Sequence, residues 1–471
     1  MSGAVVGVHR VWAHRVWIGR SIANDVRIAV AEDGTIASVT AGVAAEPGDT
    51  VLHGVVYPSG VNAHSHAFHR LLRGRTHGDG GSFWTWRELM YEEAARLEPV
   101  SYERVATAVY AEMVAAGWTS VAEFHYVHHR TDGTPYGKPG ASTHGGEPTA
   151  REHAMERALA NAAVASGIRL TLLDTAYLAG GFGTSLAGGF GTSLGPEQQR
   201  FGDGSIQAWL RRGRRLRDAF AEEYDPRFVT VGAALHSVRA VPAADLAIVA
   251  AELHPDIPLH VHLSEQPAEN EACLAATGLT PTELLAANGL LGPRLSAVHA
   301  THLSEHDIEL LGGAGATIVM CPTTEADLGD GIGPARALAD AGATIALGTD
   351  QHAVVDPLLE MRALEHGERL GSGRRGRFSP AELVAAVSTG GAASVGRTGL
   401  GSLAVGSPCD LIELDPASSR TMGGDPAQLA LTATASDVRT VVIGGRVMAR
   451  NGVHAELGAP AELLASGMEL L

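Results

Sequence analysis

The run Pro258-Leu259-His260-Val261-His262, followed by Leu263-Ser264-Glu265, decides the fold. Alternate residues of an extended strand share a face, so His260 and His262 point the same way, with His262 nearer the end. Glu265 lies three residues on, just past the apolar stretch. An imidazole and a carboxylic acid delivered where a buried strand stops belong on the rim of a parallel barrel. His260 lies deeper and reads as barrel packing.

Three further strand ends repeat the pattern. His64-Ser65-His66 ends one apolar run, His299 follows Leu295-Ser296-Ala297-Val298, and Asp350 follows the run 344–349. Working outward, eight candidate strands fall near 55–62, 119–125, 168–176, 228–235, 257–263, 295–299, 316–320 and 344–348. Helical stretches such as 102–116 and 245–253 separate them. This alternation predicts an α/β fold, a (β/α)8 TIM-like barrel over residues 58–401. The span exceeds the ~250 residues typical of such barrels, and loop insertions account for the excess. Residues 1–57 and 402–471 carry short alternating runs, Val26-Arg27-Ile28-Ala29-Val30 and Asp410-Leu411-Ile412-Glu413-Leu414 among them, with turns at Asp33-Gly34 and Gly444-Gly445. They predict a small β-sandwich domain assembled from both chain ends. After the third strand the octapeptide Ala179-Gly-Gly-Phe-Gly-Thr-Ser-Leu186 is repeated unchanged over 187–194. Two copies cannot build a solenoid, so the segment reads as a Gly-rich loop, and the Gly/Pro-rich stretch 131–148 as another.

Acidic residues outnumber basic ones, 52 to 35, for a formal charge of −17 over 471 residues. Such a surface repels nucleic acid and anionic lipid, and neither is an expected partner. An anionic ligand would need local arginines. Cys273, Cys321 and Cys409 are odd in number and scattered, which fits a reducing compartment rather than a disulfide framework. His9, Arg10, His14 and Arg15 interrupt the first twenty residues, leaving no apolar core for a signal peptide. A cytoplasmic enzyme is expected.

Taken alone, His64-Ser65-His66 has a structural alternative, a packed and hydrogen-bonded histidine pair, and Asp350 one as a turn or helix-cap residue. Together with His262 and His299 at other strand ends they favour a shared divalent ion. His302, His306 and His352 are flanking candidates, ranked as surface or supporting groups. The single lysine, Lys138, lies in a loop before the third strand and cannot bridge two ions as a carbamylated strand lysine does. The set therefore points to one zinc-like ion in a site open to water. Such an ion brings the pKa of its water from ~15.7 to near 7. Glu265 is placed to move protons and His299 to stabilise developing charge. The chemistry implied is metal-assisted hydrolysis of a C–N or similar bond.

These residues resemble the amidohydrolase superfamily, in its single-metal branch of deaminases and chlorohydrolases, over nearly the whole chain. The strings His64-Ser-His-Ala-Phe68, Ser82-Phe-Trp-Thr-Trp-Arg-Glu-Leu-Met-Tyr91, Glu123-Phe-His-Tyr-Val-His-His129, His299-Ala-Thr-His302 and Cys321-Pro-Thr-Thr-Glu325 are similar, more narrowly, to the formimidoylglutamate deiminases. That resemblance implies Zn2+ held by His64, His66, His262 and Asp350. It implies Glu265, His299 and Asp350 as catalytic groups. It also implies substrate carboxylates held by residues matching Arg87, Tyr126, His236 and Arg239, with His69 beside them where relatives carry glutamine. An imidazole there would make that contact pH-sensitive. The expected reaction converts N-formimino-L-glutamate to N-formyl-L-glutamate and ammonia, a step of histidine breakdown, in a homodimer. Two alternatives stand beside it. One is a deaminase of the same branch acting on a purine, a triazine or another formimino or guanidino acid. The other is a non-catalytic metal binder.

Overall fold

A computed structural model describes residues 6–78, 83–137, 151–183 and 191–471, the side chains of Phe83 and Trp84 excepted. Lys138, most of the 131–148 loop and the middle of the duplicated octapeptide lie outside the described residues.

Two eight-stranded sheets organise the chain. The barrel is built from β5 (Gly60–Ser65), β6 (Trp118–His125), β7 (Arg169–Ala176), β8 (Val229–Ser237), β9 (Leu259–Leu263), β10 (Leu295–His299), β11 (Thr317–Met320) and β12 (Thr344–Leu347), parallel and paired in chain order. These strands carry helices outside and packed side chains inside, so they are buried on both faces. That burial explains their nearly continuous apolar sequence. A bridge between Ser65 and Asp350 closes the ring, with the amides of Thr349 and Asp350 both donating to the His64 carbonyl. Gly348 makes this closure possible, because a Cβ there would sit 2.8–2.9 Å from His64 atoms. Helices follow the strands as expected, for instance Pro99–Ala116, opened by its proline and ended by left-handed Gly117.

The second sheet joins β1 (Arg10–Ile18), β2 (Ser21–Val30), β3 (Ile36–Thr40) and β4 (Thr50–Pro58) to β13 (Leu411–Leu414), β14 (Val438–Ile443), β15 (Arg446–Arg450) and β16 (Val453–His454). The β-domain expected from both chain ends is one mixed sheet in the order β16-β15-β14-β13-β4-β1-β2-β3. Its ends curl together: the Val8 amide donates to the Gly445 carbonyl, and Val11, Ile28, Ile36, Val442 and Val447 share one core.

The first predicted strand, 55–62, needs correction. It spans two strands in different sheets, β4 ending at Pro58 and β5 starting at Gly60. An apolar run that crosses from one sheet to another keeps its hydrophobic pattern, and only Pro58-Ser59-Gly60 marks the break.

The sheets are tied by a buried ion pair. Arg169 Nε and Nη2 donate to Asp410 Oδ2 and Oδ1 at 2.7 and 3.0 Å, and both side chains are nearly inaccessible. Replacing Asp410 by alanine strands a buried guanidinium without a counter-ion. The expected loss is about 3–5 kcal/mol, read from urea unfolding. An unshifted midpoint would show that the pair contributes nothing.

Candidate active site

At the closure of the barrel, polar groups from four strand ends converge. His262 Nε2 lies 3.1 Å from His64 Nε2 and 3.4 Å from His66 Nε2. Asp350 Oδ1 lies 3.3 Å from His64 Nε2 and 3.5 Å from His66 Nε2. Backbone carbonyls settle two of the tautomers. His66 Nδ1 sits 2.8 Å from the Phe124 carbonyl and His262 Nδ1 2.8 Å from the His236 carbonyl. A carbonyl only accepts, so each Nδ1 carries the hydrogen and each Nε2 turns a lone pair inward. Burial, with neighbouring imidazoles adding to it, holds His64, His66 and His262 well below the usual histidine pKa and hence neutral.

Facing lone pairs about 3.4 Å apart repel unless something positive lies between them. Four donors about 2.0–2.1 Å from a central cation, at the corners of a tetrahedron, are separated by roughly 3.3–3.4 Å. The four separations given above, 3.1–3.5 Å, lie close to that value. Three neutral imidazoles and one carboxylate therefore fit a divalent transition-metal ion, and the carbonyls supply the outer hydrogen bonds such ligands require.

Strain is concentrated at the same place. Of the eight described non-glycine residues with positive φ, Ser264, His299, Ala300, Asp350 and His352 lie at these strand ends. The left-handed turns aim side chains into the site at an energetic cost. Buried groups brace them. Glu123 accepts from Ser65 Oγ at 2.7 Å and the Ala67 amide at 2.6 Å, and burial raises its pKa to about 7. Asn62 donates to Thr349 Oγ1 and accepts from the Thr349 amide.

Beside the donor cluster, His299 Nε2 lies 3.8 Å from Glu265 Oε1 and 3.9 Å from Asp350 Oδ2, while its Nδ1 faces Glu325 Oε1 at 3.4 Å. Burial alone would depress His299, but Glu265, Glu325 and Asp350 outweigh it and lift its pKa to about 10. Burial, reinforced by Asp350, raises that of Glu265 above its ordinary value despite His299 and Arg239. An acid that holds its proton more firmly than a surface carboxyl suits proton transfer near neutrality.

A pocket opens from these groups between Trp86, Arg87, Tyr126, His236 and Arg239. Tyr126 donates to, or accepts from, His69 Nε2 at 3.0 Å. His69 is not the pH-sensitive contact expected of an imidazole: burial brings it down to about 3, so it stays neutral. Arg87 Nε donates to the Tyr91 hydroxyl at 2.8 Å. No direct hydrogen bond or ion pair engages the half-buried Arg239 among the described residues; burial opposes its charge, while Tyr177, Glu269, Tyr91 and Glu265 nearby raise its pKa. A larger cavity, about 800 Å3, lies beyond the loop after β6, but it contains none of the strand-end donors, and Arg212 already pairs its Glu156 and Asp203.

All the candidate residues therefore gather at one rim. The flanking histidines do not reach the donors. His260 Nε2 bonds the Ser394 carbonyl, His302 Nε2 the Asp330 carbonyl, and His352 bridges Ser65 and Thr349. His306 is exposed near Glu309. Residues that sequence reasoning assigned no part here are Glu123, Glu325, Tyr91, Tyr177 and Gln198. Tyr177 carried a usable signal, since it directly follows a barrel strand.

The amidohydrolase family matches residues 55–448. Formimidoylglutamate deiminase of Pseudomonas aeruginosa is 36% identical over 94% of this chain and 95% of its own length. The 8-oxoguanine deaminase of the same organism is 29% identical over 83% of this chain and 81% of its own. A crystal structure of an amidohydrolase from Brucella melitensis, 31% identical, superposes with a TM-score of 0.86 over 98% of this chain and 99% of that one. The chain belongs to the amidohydrolase family and is a hydrolase that acts on a C–N bond. Among the described residues no helix is long and apolar enough to cross a membrane.

Proposed function

We propose that this hydrolase deiminates N-formimino-L-glutamate, converting R–NH–CH=NH and water to R–NH–CHO and ammonia. The observation that carries the reading is Arg239, a half-buried guanidinium that no described side chain hydrogen-bonds or ion-pairs directly, lining the same pocket as Arg87, Glu265 and the strand-end donors. A guanidinium partly withdrawn from water and lacking a direct ion pair favours a bound anion, so the pocket suits one. In a chain of net charge −17, two arginines at the site supply the attraction that the surface denies a dicarboxylate. The name of the relative sharing 36% identity supports the same substrate. Aromatic walls such as Trp86 and Tyr177 would also suit a planar heterocycle, but a neutral purine would give Arg87 and Arg239 no carboxylate to grip.

His64, His66, His262 and Asp350 would hold the cation, Zn2+ by the preference of such ligands, and it would supply Lewis-acid activation of water at neutral pH. Glu265 holds a proton at its carboxyl and delivers it to the departing nitrogen, so that ammonia leaves rather than an amide anion. His299, flanked by Glu265, Glu325 and Asp350, donates through Nε2 to the oxygen that gains charge. Asp350 takes the proton that water gives up. Arg87, Arg239, Tyr126, His236 and His69 orient the substrate.

Ammonia release should be measured with N-formimino-L-glutamate and with 8-oxoguanine, with and without a chelator. Rapid release from the first, little from the second and loss of activity on chelation are expected. Equal or faster turnover of 8-oxoguanine would overturn the assignment.

A further inference from the structure

Gln198 stands between two phenols. Its Nε2 lies 3.0 Å from the Tyr91 hydroxyl and 2.9 Å from the Tyr177 hydroxyl, and its Oε1 lies 2.9 Å from the Gly195 amide nitrogen. A backbone N–H can only donate, so the oxygen of the carboxamide belongs on Gly195 and its NH2 group on the tyrosines. Gln198 therefore donates to both hydroxyls. A phenol offers two lone pairs and one hydrogen. Both lone pairs of Tyr91 are engaged, one by Gln198 and the other by Arg87 Nε. Tyr91, within hydrogen-bond reach of Tyr177, has only its hydrogen left and can donate to Tyr177 but not accept from it, and among the described residues no other side chain accepts the Tyr177 hydrogen. Tyr177 and Gln198 are buried, and Tyr91 and Tyr177 line the same pocket as Arg87 and Arg239.

We infer that Tyr177 is a specificity-determining donor to a carboxylate of the substrate, and that Gln198 is the positioning residue that fixes its polarity. The inference rests on the dicarboxylate reading above. It extends the anion-binding group beyond the two arginines to a set of oriented donors spanning two parts of the rim. Tyr177 and Gln198 also flank the duplicated octapeptide in sequence, one on each side of it. A hydrogen bond to a charged group is worth more than a neutral one, and a set of donors only penalises an uncharged carboxamide, which brings hydrogens of its own.

The test is calorimetric binding of N-formyl-L-glutamate and its two monoamides to the metal-loaded enzyme, run beside the turnover assay. Tyr177→Phe keeps the ring and removes only the donor. It is expected to weaken binding of the dianion about tenfold or more while changing one monoamide much less, so that discrimination between them narrows. Gln198→Glu takes hydrogens from both phenols instead of giving them, and should weaken the dianion at least as much. Thermal melting checks that both variants fold. If wild type binds the dianion and Tyr177→Phe binds every ligand within twofold of it, the inference fails and the proposed function stands. If wild type neither binds N-formyl-L-glutamate nor turns over N-formimino-L-glutamate, both fall.

Discussion

Glu265→Gln is expected to lower turnover of N-formimino-L-glutamate by about 10²–10⁴-fold, the usual worth of a positioned general acid–base, while the divalent cation stays bound. The carboxyl lies 3.8 Å from His299 Nε2 and belongs to none of the closely spaced donor groups that His64, His66, His262 and Asp350 form. Its removal therefore leaves the ligands intact. Glutamine has the same length and can still hydrogen-bond, but it cannot take up a proton and give it away. Without that transfer the nitrogen must leave as a poor, unprotonated group. The raised pKa of Glu265 is the physical basis of the assignment: burial disfavours its charge and Asp350 adds repulsion, while His299 pulls the other way. The measurements are ammonia release under saturating substrate and metal content by elemental analysis. A Glu265→Gln enzyme within a few-fold of wild type would refute the role. One that had lost its metal would mean that Glu265 supports the donor set rather than the proton.

The convergence of His64, His66, His262 and Asp350 was legible in the sequence because each is placed by local structure. A strand buried on both faces reads as an apolar run, and a histidine or aspartate at its end stands out against it, as His262 does after Leu259-His260-Val261. The eight-fold alternation was legible for the same reason. What resisted reading depends on partners distant in the chain. The run 55–62 keeps one hydrophobic pattern while crossing from one sheet to the other at Ser59, so periodicity alone could not divide it. Glu123 reads as a charge inside an apolar strand until Ser65 and Ala67 close on it from β5 and the turn beyond. Gln198 sits in a short 3₁₀ turn behind a glycine-rich loop, where nothing local distinguishes it from a surface glutamine. His69 shows the converse. Its identity invited a titration argument, and burial removed it. Residue type reports what a side chain can do, whereas its protonation state is set by the surroundings.

His262→Ala is expected to empty the metal site after dialysis and to abolish ammonia release with it. The reason is geometric. His262 Nε2 stands within 3.4 Å of two other donor nitrogens, and its ring is locked by the His236 carbonyl. Losing an outer hydrogen bond of this kind already costs 10–100-fold in metal affinity, and losing the ligand itself should cost at least that, about 10²-fold or more. Because a cation that binds only the folded chain stabilises it by RT ln(1 + [L]/Kd), wild type should melt at a lower temperature in chelator, and His262→Ala should not respond. His260→Gln is the control for damage to the strand. It lies two residues away on β9, is more deeply buried, and spends its Nε2 on the Ser394 carbonyl, so its replacement strains the barrel without removing a donor. It should retain one cation per chain and a melting temperature that still falls on chelation. The two variants together separate ligand loss from misfolding, and Glu265→Gln, which keeps the ion and loses the reaction, separates both from loss of the proton carrier. A His262→Ala protein that kept one tightly held ion per chain would place the cation elsewhere. The convergence of the four strand ends would then be a packing arrangement rather than a metal centre.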